Sequence, residues 1–481
     1  MAPESRIFQR EEMTQAEKIA AFVSKVQFED LSRFAQEQLK IRALDALGCA
    51  IGALGSATTE AVREQTEDFG GAGLCTTIGG SRTSPDRAAF YNSALVRYLD
   101  FNDSYLAKHE TCHPSDNLGA ALAACEYADG SGADFLASLA VAYQVQCRLS
   151  DAAPVRAKGF DHTTQGSYAV AAGVSRGLRL DARRTAHALA ICGTAFNALR
   201  VTRTGTLSNW KGLAYPNTAF CATHAAFLAM RGITGPLEVF EGNKGFMEAI
   251  AGKFEIDWAK EDLERVTQTI VKRYNAEIHS QSAIEGILEL RGQFDFSASG
   301  IEEIVLEIFD VAFNIIGGGE EGDKTVVTTK EAADHSLPYL IAVAILDGEV
   351  MPEQYLPERI SRPDVQTLLR KVRVIPAADL SERFPREVPC RLTVHLAGGR
   401  TARIEKRDYE GFVTRPPTWE NAQSKFHRLS GPHTTAALRN RIVDAVWSLE
   451  KMRVRSLTEL LRQVQASAPK REEEVLHYGG T

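Results

Sequence analysis

The 481-residue chain lacks the features that mark several large classes of protein. No stretch is long and apolar enough to span a bilayer, and residues 1–15 contain no apolar core of a signal peptide. The net charge of −7 argues against a general nucleic-acid binder, which needs a basic surface to neutralise phosphates. We therefore predict a cytoplasmic protein that binds neither membranes nor nucleic acids. A local cluster of Lys and Arg can still attract an anionic small substrate.

The eight cysteines lie apart from one another, and none forms a Cys-x-x-Cys pair. This spacing excludes the usual patterns of a zinc ribbon and of an iron–sulfur cluster. Several cysteines lie in apolar surroundings, as Cys49 does, where the thiol behaves as a small hydrophobic group. We expect free thiols in a reducing compartment.

Helical periodicity is the main feature that the sequence does have. Up to about residue 268, apolar residues recur at the three- and four-residue spacing of buried helix faces. These segments are rich in small residues, which let helix axes approach closely and so indicate a compact bundle. The predicted helices include Gly119–Ala128, Ala133–Leu149, Thr164–Leu178, Ala182–Leu199 and Thr218–Arg231.

The pattern changes after about residue 268. Ile301–Ile308 is typical of a strand, and residues 391–396 and 400–405 are typical of a hairpin around a Gly-Gly turn. The helical patterns in this region are His335–Leu346 and Val365–Val372. Together these elements indicate a smaller α+β unit.

We therefore predict a mainly α fold with an insertion. Residues 1–268 and 411–468 form a large all-helical domain, and residues 269–410 form an inserted, smaller α+β lid domain. The charged tail at 469–481 is predicted to be disordered.

One short motif suggests zinc chemistry. His109, Glu110 and His113 match H-E-x-x-H, in which a helix places both histidines on one face of a zinc peptidase. Here Pro114 follows the second histidine, and the residue before a proline is disfavoured in helical geometry. Zinc peptidase activity is therefore the distant alternative.

Two loops between predicted helices combine acid–base groups. One runs from Asp100 to Tyr105 and on to His113–Asn117, and the other is Gly159–Thr164. Functional residues concentrate on loops held by a rigid scaffold. Each residue alone also suits an ordinary structural role, since Asp116, for example, is a plausible helix cap.

The first loop is also where a family resemblance begins. Leu99–Ser104, followed by His113–Gly119, resembles the MmgE/PrpD family and in particular its 2-methylcitrate dehydratases. The resemblance continues in order through nearly the whole chain. The other matching segments are Leu44–Cys49, Phe160–His162, Ala198–Arg200, Ser208–Gly212, Lys272–Gln281 and Asp334–His335.

This resemblance implies a helical domain and a lid domain with the active site between them, assembled as a homodimer. For the related cis-aconitate decarboxylases it implies a site of one Asp, one Thr, two His and two Lys. By motif position these residues are Asp100, Ser104, His113, His162, Lys211 and Lys272, with His279 nearby. Ser104 stands where the family usually has Thr, Tyr105 where it usually has Trp, and Lys108–Cys112 departs from the dehydratase pattern.

The implied activity is that of a lyase acting on a small tricarboxylate. It would dehydrate 2-methylcitrate, or a close relative, to 2-methyl-cis-aconitate, a step of propionate catabolism through the methylcitrate cycle. The chemistry needs a base, an acid for the leaving oxygen, and cations that hold carboxylates, and it needs no metal or other cofactor. The residues assigned as catalytic are Asp100, His113, His162, Lys211 and Lys272, and those assigned to substrate binding are Ser104, Arg200, Arg203 and His279.

We take His113 or His162 as the base and the other as an aid to the leaving group, with Asp100 orienting one of them or sharing the proton transfer. For Arg200 and Arg203, a solvated helix end is an equally good interpretation. Decarboxylation of cis-aconitate is the first alternative, followed by isomerase or epimerase chemistry on a related carboxylate. A non-catalytic binding protein is the alternative from another class.

Overall fold

The computed structural model describes residues 12–204, 207–294 and 296–465, so the tail predicted at 469–481 lies outside the described residues. The fold is mainly α, as predicted. None of the helices in the described ranges has both the length and the apolar character needed to cross a bilayer.

The helices form two groups along the chain. The helices before residue 268 are α1 (Gln15–Val23), α2 (Arg33–Gly52), α3 (Ala57–Phe69), α4 (Pro85–Tyr98), α5 (Leu118–Tyr127), α6 (Gly132–Ala152), α7 (Thr163–Gly177), α8 (Ala182–Ala195) and α9 (Trp210–Met230). The later helices are α10 (Gln281–Gln293), α11 (Asp310–Ala312), α12 (Lys330–Asp334), α13 (Leu337–Asp347), α14 (Pro357–Ile360), α15 (Pro363–Leu369), α16 (Ala378–Ser381), α17 (Trp419–Ser430), α18 (Ala436–Trp447) and α19 (Val454–Leu461).

The strands form two small hairpins and one larger sheet. They are β1 (Cys75–Thr76), β2 (Arg82–Thr83), β3 (Tyr105–Leu106), β4 (Thr111–Cys112), β5 (Ile301–Ile308), β6 (Val372–Pro376), β7 (Cys390–Leu396) and β8 (Arg400–Lys406). The larger sheet has the order β6-β5-β7-β8, with β5 parallel to β6 and antiparallel to β7. The predicted strand and the predicted hairpin are therefore confirmed. Gly398 and Gly399 both have positive φ, which explains why glycine forms this turn.

Buried apolar side chains form two main clusters. One joins the helices before residue 268 to α17, α18 and α19, and the other surrounds the larger sheet together with α10 and α13. Helix α17 packs closely against α2, because a Cβ added at Gly48 of α2 would lie 3.2 Å from Cα of Phe426 in α17. The order along the chain is thus helical, mixed and helical, while the domain boundaries at 268 and 410 stay predictions.

The predicted end of α8 was wrong, and the difference shapes the site. The helix ends at Ala195 instead of reaching Leu199. The carbonyl of Ala198 accepts a hydrogen bond from the Asp161 amide at 2.9 Å, and the Ala198 amide donates to Oγ1 of Thr164 at 3.1 Å. These tertiary bonds replace the last helical turn and fix the segment that leads into α7.

Two other predicted bounds were also wrong. Helix α9 begins at Trp210 instead of Thr218, which places Lys211 in its first turn. The predicted helix ending at Val372 stops at Leu369, and Val372 begins β6. Alternating β-branched residues pair with β5 there, so sheet pairing overrides the helical pattern.

The N-terminus of α6 lies in close contact with the segment between α18 and α19. The Gly132 amide donates to the Met452 carbonyl at 2.7 Å, and a Cβ at Gly132 would lie 1.9 Å from the Leu449 carbonyl oxygen. We expect Gly132→Ala to lower the free energy of unfolding by about 3 kcal/mol or more, since backbone has to move. Urea unfolding measures the change.

Gly292→Ala is the matched control, because nothing lies within 4 Å of its added Cβ and alanine favours the helix by up to about 1 kcal/mol. Equal stability of the Gly132 variant and the wild type would contradict the close approach.

Candidate active site

A cavity of about 1470 Å³ lies where the helical elements meet the insert. The predicted site residues that line it are Asp100, His113, His162, Arg200, Arg203, Lys211, Lys272 and His279. They come from loops and helix starts that are far apart in the sequence. The fold therefore brings eight of the nine predicted residues to one cavity, and Ser104 is the exception.

Asp100 joins three cations at one wall of this cavity. It follows α4 with φ +50°, a left-handed conformation that is uncommon for a non-glycine residue. Its Oδ1 accepts hydrogen bonds from Arg97 Nη1 at 2.6 Å and from Lys272 Nζ at 2.8 Å, and Lys211 Nζ lies 3.6 Å from Oδ2. Burial acts to raise the pKa of Asp100, but the three cations hold it well below its usual value. The carboxylate is therefore ionised.

His113 is held as a neutral imidazole. Its Nδ1 lies 2.9 Å from the Asp103 carbonyl oxygen and 3.1 Å from Ser104 Oγ. A carbonyl oxygen only accepts, so this pairing assigns the proton to Nδ1 and leaves the lone pair on Nε2. Burial lowers the pKa of His113 well below its usual value, and the positive charge of Arg97 adds to the effect.

His162 lies beside His113, with ring centroids 5.5 Å apart. Its Nδ1 is 3.3 Å from Asp161 Oδ1, whereas its Nε2 is buried and has no hydrogen-bond partner among the described residues. Burial lowers the pKa of His162 to about 3, although Asp161 acts in the opposite direction. His162 is thus a neutral base whose second nitrogen is unused by the protein.

Asp161 is in turn held by Arg203. Arg203 Nε donates to Asp161 Oδ2 at 2.7 Å, and Nη2 lies 3.3 Å from Oδ1. Burial acts to raise the pKa of Asp161, but the charges of His162 and Arg203 hold it below its usual value. The remaining Arg203 nitrogen, Nη1, donates to the Lys211 carbonyl at 3.3 Å. The guanidinium lines the cavity and holds Asp161, and its predicted role in substrate binding stays a prediction.

Lys211 contacts a second histidine–carboxylate pair. Its Nζ lies 3.3 Å from His335 Nε2, and His335 Nδ1 is hydrogen-bonded to Asp334. Burial lowers the pKa of Lys211, against the opposing charges of Asp334 and Asp100. An ammonium whose pKa is lowered gives up its proton more readily, which suits a general acid near neutral pH.

His279 is oriented by Glu277. Its Nδ1 lies 2.7 Å from Glu277 Oε1, and its backbone amide donates to Oε2 at 2.7 Å. Burial acts to raise the pKa of Glu277, but His279, His335 and Lys272 lower it to about 2. The ionised Glu277 therefore helps to balance the charge of Lys272.

Ser104 lies behind His113. Its side chain is fully buried and is not among the residues that line the cavity, because its hydroxyl lies against the imidazole of His113. Ser104 therefore helps to position His113 in this structure. Its predicted role in substrate binding stays a prediction.

Sequence reasoning assigned no role to several residues of the site. They are Arg97, Asp161, Glu277, Asp334 and His335. The three acids each precede a histidine by one or two positions, and this local pattern could have identified them as partners of the histidines. Arg97 gave no such signal, because an arginine in the last turn of a helix is usually solvated.

The H-E-x-x-H segment does not form the helix that a zinc peptidase needs. Its central residues form strand β4, which pairs with β3. The Glu110 carboxylate accepts backbone hydrogen bonds from Thr111, Val155 and Arg156 at 3.0–3.3 Å. Within the described ranges no group of three or more His, Cys, Asp or Glu side chains has a metal-holding arrangement. Glu110 thus stabilises the loop and the β3–β4 hairpin instead of a metal-binding helix.

Neutral imidazoles, buried lysines and paired carboxylates together define an acid–base site for an anionic ligand. Residues 17–259 match the MmgE/PrpD N-terminal domain, and residues 274–449 match the MmgE/PrpD C-terminal domain. The chain belongs to the MmgE/PrpD family.

Similar proteins include both dehydratases and decarboxylases. The chain is 25% identical to cis-aconitate decarboxylase of Mus musculus over 457 residues, which cover 89% of each protein. It is 26% identical to the mitochondrial 2-methylcitrate dehydratase of Yarrowia lipolytica, with 73% of this chain and 71% of the relative covered. It is 27% identical to 2-methylcitrate dehydratase of Cupriavidus necator, with 66% and 68% covered.

The buried neutral His162 predicts a pH dependence of stability. Its pKa is about 3 in the folded protein and about 6.5 in an unfolded chain, so the unfolded state binds more protons between these values. The free energy of unfolding should therefore fall as the pH drops below 6.5, with His162 contributing about 1.4 kcal/mol per pH unit. We expect the stability difference between wild type and His162→Gln to shift by this amount between pH 6 and pH 5. Parallel pH curves for the two proteins would contradict a neutral His162.

Proposed function

We propose that the chain is a lyase that dehydrates 2-methylcitrate, or a close tricarboxylate, by acid–base catalysis without a metal or other cofactor. The observation that carries this proposal is the neutral His162, whose Nε2 has no partner among the described residues. It lies in a cavity that two buried lysines also line. A base without a protein partner beside cations is what proton removal next to a carboxylate needs.

In the proposed mechanism, His162 Nε2 removes the proton from the carbon beside a substrate carboxylate. Asp161, 3.3 Å from Nδ1, stabilises the imidazolium that forms. The electron pair left on carbon forms the new double bond as the carbon–oxygen bond breaks. The two steps together yield the alkene and a hydroxide that must be protonated.

Lys211 is the proposed proton donor to the leaving hydroxide, because its lowered pKa makes its ammonium a better acid. Lys272 holds the carboxylate next to the reacting carbon and stabilises the negative charge that develops there. His113 accepts a hydrogen bond from the substrate hydroxyl at its unprotonated Nε2 and so aligns the leaving group. Asp100 keeps both lysines in place and is a positioning residue in this scheme.

Cis-aconitate decarboxylation is the second candidate, and one observation favours it. The match to the mouse decarboxylase covers 89% of both proteins, more than the dehydratase matches cover. Loss of carbon dioxide needs no base, only cations that stabilise the carbanion and an acid that protonates it. Isomerases and epimerases share the proton-removal step with the dehydratase.

The proposal includes a homodimer, which the family resemblance implies, and a cytoplasmic location, which the sequence suggests. Light scattering coupled to size-exclusion chromatography measures the mass of the assembly in solution.

The deciding assay mixes the protein with 2-methylcitrate, citrate and cis-aconitate in turn, in EDTA. We expect 2-methylcitrate to give a growing ultraviolet absorbance from the conjugated alkene. Loss of the cis-aconitate signal with release of carbon dioxide would instead establish the decarboxylase. His162→Gln should abolish the growth of absorbance from 2-methylcitrate, because that reaction depends on the base, and full activity of this variant would exclude His162 from the proposed role.

Lys211→Met tests the proposed acid. Removing one group that stabilises charge in the transition state costs about 3 kcal/mol, so kcat should fall by about two orders of magnitude. Lys260→Met is the control, since Lys260 is exposed on the surface and its side chain lies 2.9 Å from Asp257. A change in KM with kcat intact would show that Lys211 only binds substrate.

A further inference from the structure

We propose that Arg156 and Arg200 form a second anion subsite, which binds a carboxylate of the substrate remote from the carbon that reacts at His162. This inference rests on the proposed function and deepens it. It defines the substrate class as polycarboxylates with a carboxylate at the far end of the carbon skeleton.

Arg200 is a largely buried cation without a hydrogen-bond acceptor. Its side chain is 18% exposed, and its guanidinium makes no hydrogen bond to any of the described residues. The carboxylate within 4 Å is that of Asp161, whose Oδ2 lies 3.8 Å from Arg200 Nη1. The same oxygen already accepts from Arg203 at 2.7 Å. The Arg200 donors therefore face the cavity that the residue lines.

Arg156 is a second cation at the same end of the cavity. Within the described ranges its guanidinium has no carboxylate within 4 Å and makes no hydrogen bond. Both guanidiniums line the same cavity, and after burial the positive charge of Arg156 is the largest cause that lowers the pKa of Arg200. Two like charges held together in a cavity wall favour an anion between them.

Glu110 is the carboxylate that could have neutralised this pair, but it has another task. Its oxygens accept the backbone amides of Thr111, Val155 and Arg156. It thereby fixes the turn that carries Arg156, and its charge only partly offsets the causes that lower the pKa of Arg200. The region thus holds Arg156, Arg200 and Arg203 against two carboxylates that are already occupied.

The position of the subsite relative to the base follows from Asp161. One oxygen of Asp161 faces His162 Nδ1 and the other faces Arg200 Nη1. The Asp161 carboxylate therefore lies between His162 and Arg200. Lys211 and Lys272 instead lie around Asp100. A substrate whose reacting carbon lies at His162 can place one carboxylate on the lysines and another on the arginines. Guanidinium groups bind carboxylates with two parallel hydrogen bonds, which gives this end its specificity.

The test compares two ligands that the enzyme cannot dehydrate, because neither has a hydroxyl group. Tricarballylate carries three carboxylates, and 2-ethylsuccinate has the same skeleton with one terminal carboxylate replaced by a methyl group. Calorimetric titration should show that the wild type binds tricarballylate about tenfold to hundredfold more tightly, as expected for charge-assisted hydrogen bonds.

Arg156→Gln and Arg200→Gln should each remove most of this preference and leave the affinity for 2-ethylsuccinate unchanged. Arg183→Gln, on the exposed face of α8, is the matched control and should keep the preference. Arg200→Lys keeps the charge without the two-pronged geometry, and it should retain only part of the preference. Circular dichroism confirms that each variant is folded.

The subsite is overturned if the wild type binds both ligands equally, or if the two glutamine variants keep the preference. The outcome is separable from the activity assay. A preference that depends on the arginines, without turnover of 2-methylcitrate, would uphold the subsite and reject the proposed dehydration. Turnover with unchanged binding in the variants would do the reverse.

Discussion

Three cations converge on the buried carboxylate of Asp100, and the geometry of the cavity depends on that convergence. Arg97 comes from α4, Lys211 from the start of α9, and Lys272 from the segment that enters the insert. Removing such a carboxylate would leave buried cations unpaired, which costs far more than losing a surface ion pair. Asp100 thus ties the helical elements to the insert at the point where the cavity forms.

Lys425 supports the same junction from behind. It extends from α17, pairs with Asp45 at 2.7 Å, and donates to the carbonyl oxygens of Phe101 at 2.7 Å and Lys272 at 3.0 Å. Phe101 directly follows Asp100, so one ammonium holds the backbone on both sides of the Asp100–Lys272 pair. The C-terminal helices therefore do more than complete an apolar core, because they also hold the loops that carry the site residues.

The parts of the site that the sequence revealed are those with local signals. Asp100, His113 and His162 stood out because each lies in a polar loop between predicted helices, and Lys211 and Lys272 stood out through family motifs. The mainly α fold, the strand at Ile301–Ile308 and the hairpin followed from periodicity. What the sequence did not reveal depends on tertiary pairing. The early end of α8 comes from bonds to the segment before α7, and Arg97 gained its role only when the chain folded back on Asp116 and Asp100.

Elimination and decarboxylation place similar demands on the cations, because both build negative charge on carbon next to a carboxylate. They differ in the proton that the site must handle. Elimination needs an unprotonated base at the start, whereas decarboxylation needs a protonated acid at the end. Burial and the surrounding arginines keep His162 neutral, and Asp161 Oδ1 lies 3.3 Å from its Nδ1, so the site presents an unprotonated base. Under the proposed function, burial thus prepares His162 for proton removal before any substrate contact is made.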